Sequence, residues 1–281
     1  MLAILPGGVS ASACALAPFD SAGLGTGSAS APLPAGALTA GAFEEPPPQA
    51  ATPSSSHNVA QPIRFNQEKA SPHRFMDLRE PQVSNGRKLP RSFYDRPVLT
   101  VARDCIGKIL VRRSNDGMAA GRIVECEAYR GPRDLAAHSS RGLTQRTRAM
   151  FGPPGHAYVY FIYGTSWAFN IVVAREGDPH AVLVRALEPV SDLELMALRR
   201  RRPATSRELT NGPGKLCQAL AITGADYGRD LCADVLFLLE GDRCGPIGCS
   251  PRINVDYAGA WAAKPWRFFE KGNRFVSVPP R

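Results

Sequence analysis

Hydrophobic and polar positions alternate in short segments along the last two thirds of the chain. In "VLTVARDCIG", Leu99, Ala102 and Cys105 have helical spacing and Gly107 follows, so the segment predicts a helix. The next segment, "KILVRR", is typical of a strand, and "SNDG" is a turn that leads into "GRIVECEAYRG". These two strands are predicted to form a hairpin.

The rest of this region predicts further strands and two more helices. "HAYVYFIYG", "WAFNIVVA" and "AVLVRALEP" are typical of consecutive strands, and "VLFLLEG" and "RFVSV" are predicted as late strands. "SDLELMALRRRR" predicts a helix with Ser191 and Glu194 as its capping box, and "NGPGKLCQALAIT" predicts a turn and another helix. The fold class predicted is mixed α+β, a single domain with a curved, mostly antiparallel β-sheet surrounded by helices.

The strand "GRIVECEAYRG", residues 121–131, contains two acidic residues in an apolar sequence. Strand alternation predicts Ile123, Glu125, Glu127 and Tyr129 on one face. Acidic side chains are poor strand formers and are costly to bury. Two of them in line therefore indicate a function beyond packing.

The first part of the chain has a different composition. Residues 1–90 are rich in Ala, Gly, Ser and Pro, and the first basic residue is Arg64. We expect a disordered N-terminal extension and linker here, followed by a folded domain over residues 91–281. The segment "MLAILPGGVSASACALA" resembles a secretory signal, but it lacks a charged start and Pro6 interrupts it. No apolar run approaches the roughly 18 residues of a membrane span.

The charge points to a polyanionic partner. The chain has a formal net charge of +9, and residues 1–90 hold six basic and six acidic side chains, so the excess belongs to residues 91–281. Charge alone does not distinguish nucleic acid from an acidic membrane surface. The seven cysteines form no C-x-x-C pair and are expected to be reduced, buried thiols; neither a metal site nor a cofactor is predicted.

Several segments together resemble the alkyladenine (3-methyladenine) DNA glycosylase family. They are "RIVECEAY", "DLAAHSSRG", "YVYFIYG", "FNIVV", "VLVRALEP", "NGPGKLCQALAI" and "KPWRF", in the family's order, across nearly all of residues 93–278. The resemblance implies a monofunctional enzyme of base excision repair. It would flip alkylated or deaminated purines out of duplex DNA and hydrolyse the N-glycosidic bond.

The resemblance also implies catalytic roles for three residues. Glu127, the second glutamate of E-x-E-A-Y, would activate the water as a general base. Arg185 would pair with this carboxylate and hold the water, and Val255 would offer its backbone carbonyl. Glu125 is expected to be a supporting carboxylate. The simpler alternative for Glu127 and Arg185 is a structural ion pair.

The resemblance implies a pocket for the flipped base. Tyr129 and Tyr160 would stack on it, His138 would stack or donate a hydrogen bond, and Asn170 would screen purines by their exocyclic group. Tyr163 would intercalate into the duplex and fill the space that the flipped nucleotide leaves.

Four cations are candidates for contacts to the DNA backbone: Arg141, Arg146, Arg148 and Lys215. Each of them could equally be a solvated surface charge. The sequence departs from the family at "PRINVDYAG", where Asn254 and Asp256 replace glycines, so the resemblance does not predict the local backbone shape there.

Three other classes compete with this interpretation. A helix-hairpin-helix glycosylase would be largely helical, and a zinc deaminase needs H-x-E and P-C-x-x-C, which are absent. A non-catalytic lesion-binding protein would not need Glu127 and Arg185.

The partners predicted are double-stranded DNA with damaged purines and downstream enzymes that act on abasic sites, with no membrane. The protein is expected to be a nuclear monomer, with an organelle as the alternative location.

Overall fold

One antiparallel sheet organises the computed structural model, which describes Val83 and residues 86–162, 164–242 and 245–279. Its strands are β1 (Ile109–Ser114), β2 (Gly117–Arg130), β3 (Ala157–Ile162), β4 (Ser166–Val173), β5 (His180–Ser191), β6 (Leu236–Leu239), β7 (Ile247–Ser250) and β8 (Arg267–Glu270). Six of them follow the order β3-β4-β5-β2-β1-β6, while β8 pairs with both β2 and β7. Every pairing is antiparallel, which confirms the predicted fold class.

The helices are short and surround the sheet. The α-helices are α1 (Arg91–Tyr94), α2 (Val98–Cys105), α3 (Leu193–Arg200) and α4 (Pro213–Ala219). The 3-10 helices span His138–Arg141, Arg148–Phe151, Arg207–Leu209, Gly224–Asp226 and Asp256–Trp261. None of the helices in the described part of the chain has the length and apolar character needed to cross a membrane.

The long strand β2 is the centre of the sheet, because it pairs with β1, β5 and β8. Its pairing with β5 shifts register between Ala120 and Gly121 and again around Glu125, where Ile123 faces Leu187, Glu125 faces Ala186, and Cys126 faces Val184. Around Glu125 the irregularity matters for the site. One residue of each strand is left out of the ladder there, and such bulges redirect side chains.

The bulge changes the alternation expected for β2. Ile123 packs in the main core together with Cys126 and Ala128, whereas Glu125 and Glu127 are directed to the other side. The prediction that Ile123 shares a face with the two glutamates is therefore wrong. The extra residue shifts the side-chain period by one between Ile123 and Glu125.

Three local predictions also need correction. The cap of α3 is Asp192, which accepts a hydrogen bond from the amide of Leu195, while Ser191 ends β5. The segment "RFVSV" is not a strand; the C-terminal strands are β7 and β8. Cys249 is disulfide-bonded, although the cysteines were expected to be reduced.

All of the described residues belong to one compact unit. Leu89 is buried in its main core, and its amide donates a hydrogen bond to the carbonyl of Leu238 in β6. Residues 1–82 lie outside the described residues, so the predicted disordered extension stays a prediction.

Candidate active site

Glu127 lies at the middle of the sheet and its side chain is fully buried. One carboxylate oxygen, Oε1, accepts a hydrogen bond from the backbone amide of Ile253 at 2.8 Å. The other, Oε2, accepts from the Tyr129 hydroxyl at 2.8 Å and from Nη1 of Arg185 at 3.3 Å. Burying a carboxylate without such partners would be prohibitively costly, so these donors are what keep the charge in place.

Arg185 connects the two glutamates. Its Nε donates to Glu125 at 3.2 Å while its Nη1 donates to Glu127. Arg185 is the residue of β5 that the irregular pairing around Glu125 leaves out, between Val184 and Ala186. Val184 packs in the main core, so the guanidinium of Arg185 lies on the other side of the sheet, together with both carboxylates.

Tyr129 is held in place by a second buried ion pair. Arg252 and Asp134 are both fully buried at the side chain and form two hydrogen bonds, at 2.5 and 2.8 Å. The guanidinium of Arg252 also lies over the Tyr129 ring, 4.7 Å from its centroid. Burial, and then the Glu127 carboxylate, raise the pKa of Tyr129, so its hydroxyl remains a donor.

The loop after Arg252 completes the site with backbone groups. Ile253 supplies the amide that binds Glu127, and Asn254 has a left-handed backbone with φ of 58°. Asparagine tolerates this conformation better than most residues, so it can stand where the related family has glycine. Asp256 begins a 3-10 helix, which puts its backbone in a helical turn.

A cavity of about 140 Å³ is lined by the residues that bind Glu127. Glu127 does not line it, but its partners Tyr129, Arg185 and Ile253 do. The other predicted residues at this cavity are His138, Tyr160, Asn170 and Val255. The structure thus brings together all of the predicted catalytic and base-pocket residues.

His138 and Tyr160 form one wall of the cavity. Their rings are 4.6 Å apart at an angle of 68°, and Nδ1 of His138 lies 2.8 Å from the hydroxyl of Tyr158. Burial, together with Arg146 and Arg141, lowers the pKa of His138 to about 4. The imidazole is therefore neutral at physiological pH and has both a donor and an acceptor nitrogen.

The side chain of Asn170 is held by a hydrogen bond to the backbone of β3. Its amide nitrogen donates to the backbone carbonyl of Tyr158 at 3.0 Å, and 3% of the residue is exposed. Because one donor of the amide is used in this way, its orientation relative to the cavity is set.

Three of the predicted DNA-contacting cations are exposed around this cavity. Arg141 and Arg146 line a neighbouring cleft that shares His138 and Tyr257 with it, and Arg148 lies in the adjoining 3-10 helix. Within the described residues, no carboxylate forms an ion pair with any of the three.

Lys215 differs from the other three cations because its ammonium already has protein partners. It lies 2.9 Å from Oδ1 of Asn211 and 3.3 Å from Oε1 of Glu208. Its role in DNA binding stays a prediction. Tyr163, the predicted intercalating residue, lies outside the described residues.

Sequence reasoning did not find the side chains that hold the site together. Tyr158 could have been found, because strand alternation in "YVY" puts it on the same face as Tyr160. Arg252 and Asp134 lie 118 positions apart, and nothing in the sequence pairs them. In the residues that the structure describes, no three His, Cys, Asp or Glu side chains are grouped to hold a metal ion.

Comparison with known proteins agrees with this geometry. Residues 92–274 match the family described as Methylpurine-DNA glycosylase (MPG). The chain belongs to this family. The predicted enzyme class, a DNA glycosylase that hydrolyses N-glycosyl bonds, is thereby confirmed, and a helix-hairpin-helix glycosylase is excluded.

Several relatives carry the name "Putative 3-methyladenine DNA glycosylase". One from Methanocella arvoryzae is 51% identical over 190 residues, which are 67% of this chain and 95% of the relative. One from Anaeromyxobacter dehalogenans is 49% identical over 195 residues, 69% and 87% of the two chains. One from Myxococcus xanthus is 48% identical over 194 residues, 68% and 94%. These prokaryotic relatives give no support to the predicted nuclear location.

The buried pair of Arg252 and Asp134 predicts a strong and non-additive effect on stability. Arg252→Met leaves the Asp134 carboxylate buried without its cation, and it should lower the free energy of unfolding by about 3–5 kcal/mol. Asp134→Asn in the same chain should recover part of that loss. Urea denaturation of the two single variants and the double variant measures the coupling. Strictly additive losses would contradict the interpretation of these residues as an ion pair.

The pKa of His138 predicts how stability depends on pH. An unfolded histidine has a pKa of about 6.5, so between this value and about 4 the unfolded chain binds the proton more readily. The stabilising contribution is therefore complete above about pH 6.5 and is lost as the pH falls towards 4. An NMR titration, with His138→Asn to assign the resonance, should give a midpoint near 4. A midpoint near 6.5 would show that the ring is solvated.

Proposed function

We propose that the protein is a monofunctional DNA glycosylase that flips alkylated or deaminated purines out of duplex DNA and hydrolyses their N-glycosidic bond. The substrates proposed are of the 3-methyladenine, 7-methylguanine, hypoxanthine and ethenoadenine type. The product is an abasic site, so enzymes that process abasic sites are the expected next partners.

The observation that carries this proposal is the set of hydrogen bonds made by Glu127. An ionised carboxylate has about four acceptor positions. Among the described residues, three donors contact Glu127: Ile253, Tyr129 and Arg185. All three line the cavity, so a water bound at the remaining position would lie between the carboxylate and a base in the cavity.

The chemistry needs what this carboxylate can supply. Loss of the base leaves an oxocarbenium-like charge on the sugar, and a buried anion stabilises developing positive charge more strongly than an anion in water. Glu127 would accept the proton of the attacking water as the general base. Arg185 would hold the same water, and the carbonyl of Val255, a residue of the cavity wall, would be its second acceptor.

The cavity wall suits a flat, electron-poor base. Tyr129 and Tyr160 would stack on its two faces, and each stacked ring contributes about 1–3 kcal/mol. With Nδ1 of His138 next to Tyr158, its other ring nitrogen would be available to the base. Asn170 would discriminate between purines by contacting their exocyclic group.

The duplex would lie across the exposed cations near the cavity. Arg141, Arg146 and Arg148 would contact phosphates, with Lys215 as a further candidate, and Tyr163 would fill the gap in the base stack. The positive charge of the chain favours this partner.

Glu127→Gln tests the proposal most sharply. The amide keeps the size of the side chain, but it cannot take a proton from water, so single-turnover base release should fall by roughly 10²–10⁴-fold. The measurement is release of the base from a duplex with one hypoxanthine or ethenoadenine, at saturating protein.

Glu125→Gln is the matched control, because it makes the same change on the same strand. It should slow base release far less, and both variants should still bind lesion DNA. Equal activity of Glu127→Gln and wild type would favour a non-catalytic lesion-binding protein. A loss confined to Glu125→Gln would mean that the other glutamate activates the water.

A further inference from the structure

We propose that Arg267 and Ser277 are positioning residues for base release: by supplying most of the donors that Glu125 needs, they allow Arg185 to bind Glu127 as well. This inference rests on the proposed hydrolytic role of Glu127. Neither residue lines the cavity, so both act through their neighbours and not on the substrate.

Glu125 is fully buried and competes with Glu127 for the same arginine. Arg185 reaches Glu125 at 3.2 Å and Glu127 at 3.3 Å. Both distances exceed the roughly 2.7–2.9 Å of a strong charge-assisted hydrogen bond, which indicates that the guanidinium is shared between the two carboxylates.

The remaining acceptor positions of Glu125 are filled from β8 and the C-terminal segment. Nε of Arg267 donates to Oε1 at 2.7 Å, and the Ser277 hydroxyl donates to the same oxygen at 2.9 Å. The backbone amide of Ser277 donates to Oε2 at 2.6 Å. Glu125 therefore has its shortest hydrogen bonds with Arg267 and Ser277. Its hydrogen bond with Arg185 is longer.

Arg267 is well placed to hold this charge balance. It is 3% exposed and lies directly opposite Glu127 in the pairing of β2 with β8. Its guanidinium also donates to the hydroxyl of Ser250 and to the carbonyl of Val278. Two carboxylates and two guanidiniums thus share one buried site, and the C-terminal segment is tied to it.

Removing the charge of Arg267 has a defined consequence. Glu125 would lose its closest cation, and a buried carboxylate without a cation is costly. Arg185 could satisfy Glu125 by moving away from Glu127, since it already contacts both. The water-activating carboxylate would then lose its arginine although neither residue had been changed. Ser277 lies beyond the residues that match the family, which end at 274, so the family match does not assign this role.

The test uses single-turnover release from a duplex with one hypoxanthine. Arg267→Gln should slow release by roughly ten- to a hundredfold, the size of effect expected for a misplaced catalytic group. Affinity for the lesion duplex should stay within about twofold of wild type, because neither Arg267 nor Arg185 is a proposed DNA contact. Arg267→Lys, which keeps the charge, should retain more activity than Arg267→Gln.

The decisive variant is the double change Arg267→Gln with Glu125→Gln. A neutral glutamine at position 125 no longer draws Arg185 away, so the double variant should release the base faster than Arg267→Gln alone. The control is Phe275→Leu, which weakens packing in the same segment, against Val124 and Ala186, without touching the charges. It should lower the melting temperature and leave the rate unchanged when the protein is folded.

Each outcome decides the matter. If Arg267→Gln releases the base at the wild-type rate, or if Glu125→Gln fails to restore the rate of the double variant, the inference is wrong. If Arg267→Gln does not fold, Ser277→Ala takes its place, with a smaller loss of rate that Glu125→Gln should again reverse. If wild type releases none of the four proposed types of base, or Glu127→Gln is fully active, the proposed function itself fails and this inference fails with it.

Discussion

The site depends on the cost of burying two carboxylates next to each other in the centre of a sheet. Glu125 and Glu127 are both fully buried, and each would be unstable there as an isolated charge. Arg185 and Arg267 compensate them, with backbone and hydroxyl donors from Ile253, Ser277 and Tyr129 filling the other acceptor positions. The surrounding structure must therefore place two arginines and several hydrogen-bond donors on one face of β2.

Two segments of irregular backbone bring these groups together. The bulge in the pairing of β2 with β5 directs Glu125 and Glu127 away from the main core that holds Ile123, to the side where Arg185 lies, and the left-handed Asn254 lets the loop after Arg252 approach Glu127. A regular ladder that continued from Ile123 would direct both glutamates into the main core. The ion pair of Arg252 and Asp134 then fixes this loop and the Tyr129 ring. The regular parts of the sheet form the hydrophobic core, and the irregular parts position the residues of the candidate site.

The sequence predicted the elements well where hydrophobic periodicity is strong, as in α2 and in β2 to β5. It failed where a local choice decides the outcome: Asp192 rather than Ser191 caps α3, and "RFVSV" packs without joining the sheet. The cavity residues could be predicted because short motifs carry them. The partners of Glu125 could not, since Arg267 and Ser277 are 142 and 152 positions away and only folding brings them there. The bulge at Val124 leaves no mark in the pattern of residue types.

In the proposed mechanism, a water held by Glu127 attacks the sugar directly. Among the described residues that line the cavity there is no lysine, the side chain that would otherwise form a covalent intermediate with the sugar. Single-turnover base release in the presence of borohydride, followed by analysis for protein cross-linked to DNA, tests direct hydrolysis most directly. We expect full release of the base and no trapped complex between protein and DNA. A complex trapped by borohydride would contradict direct hydrolysis.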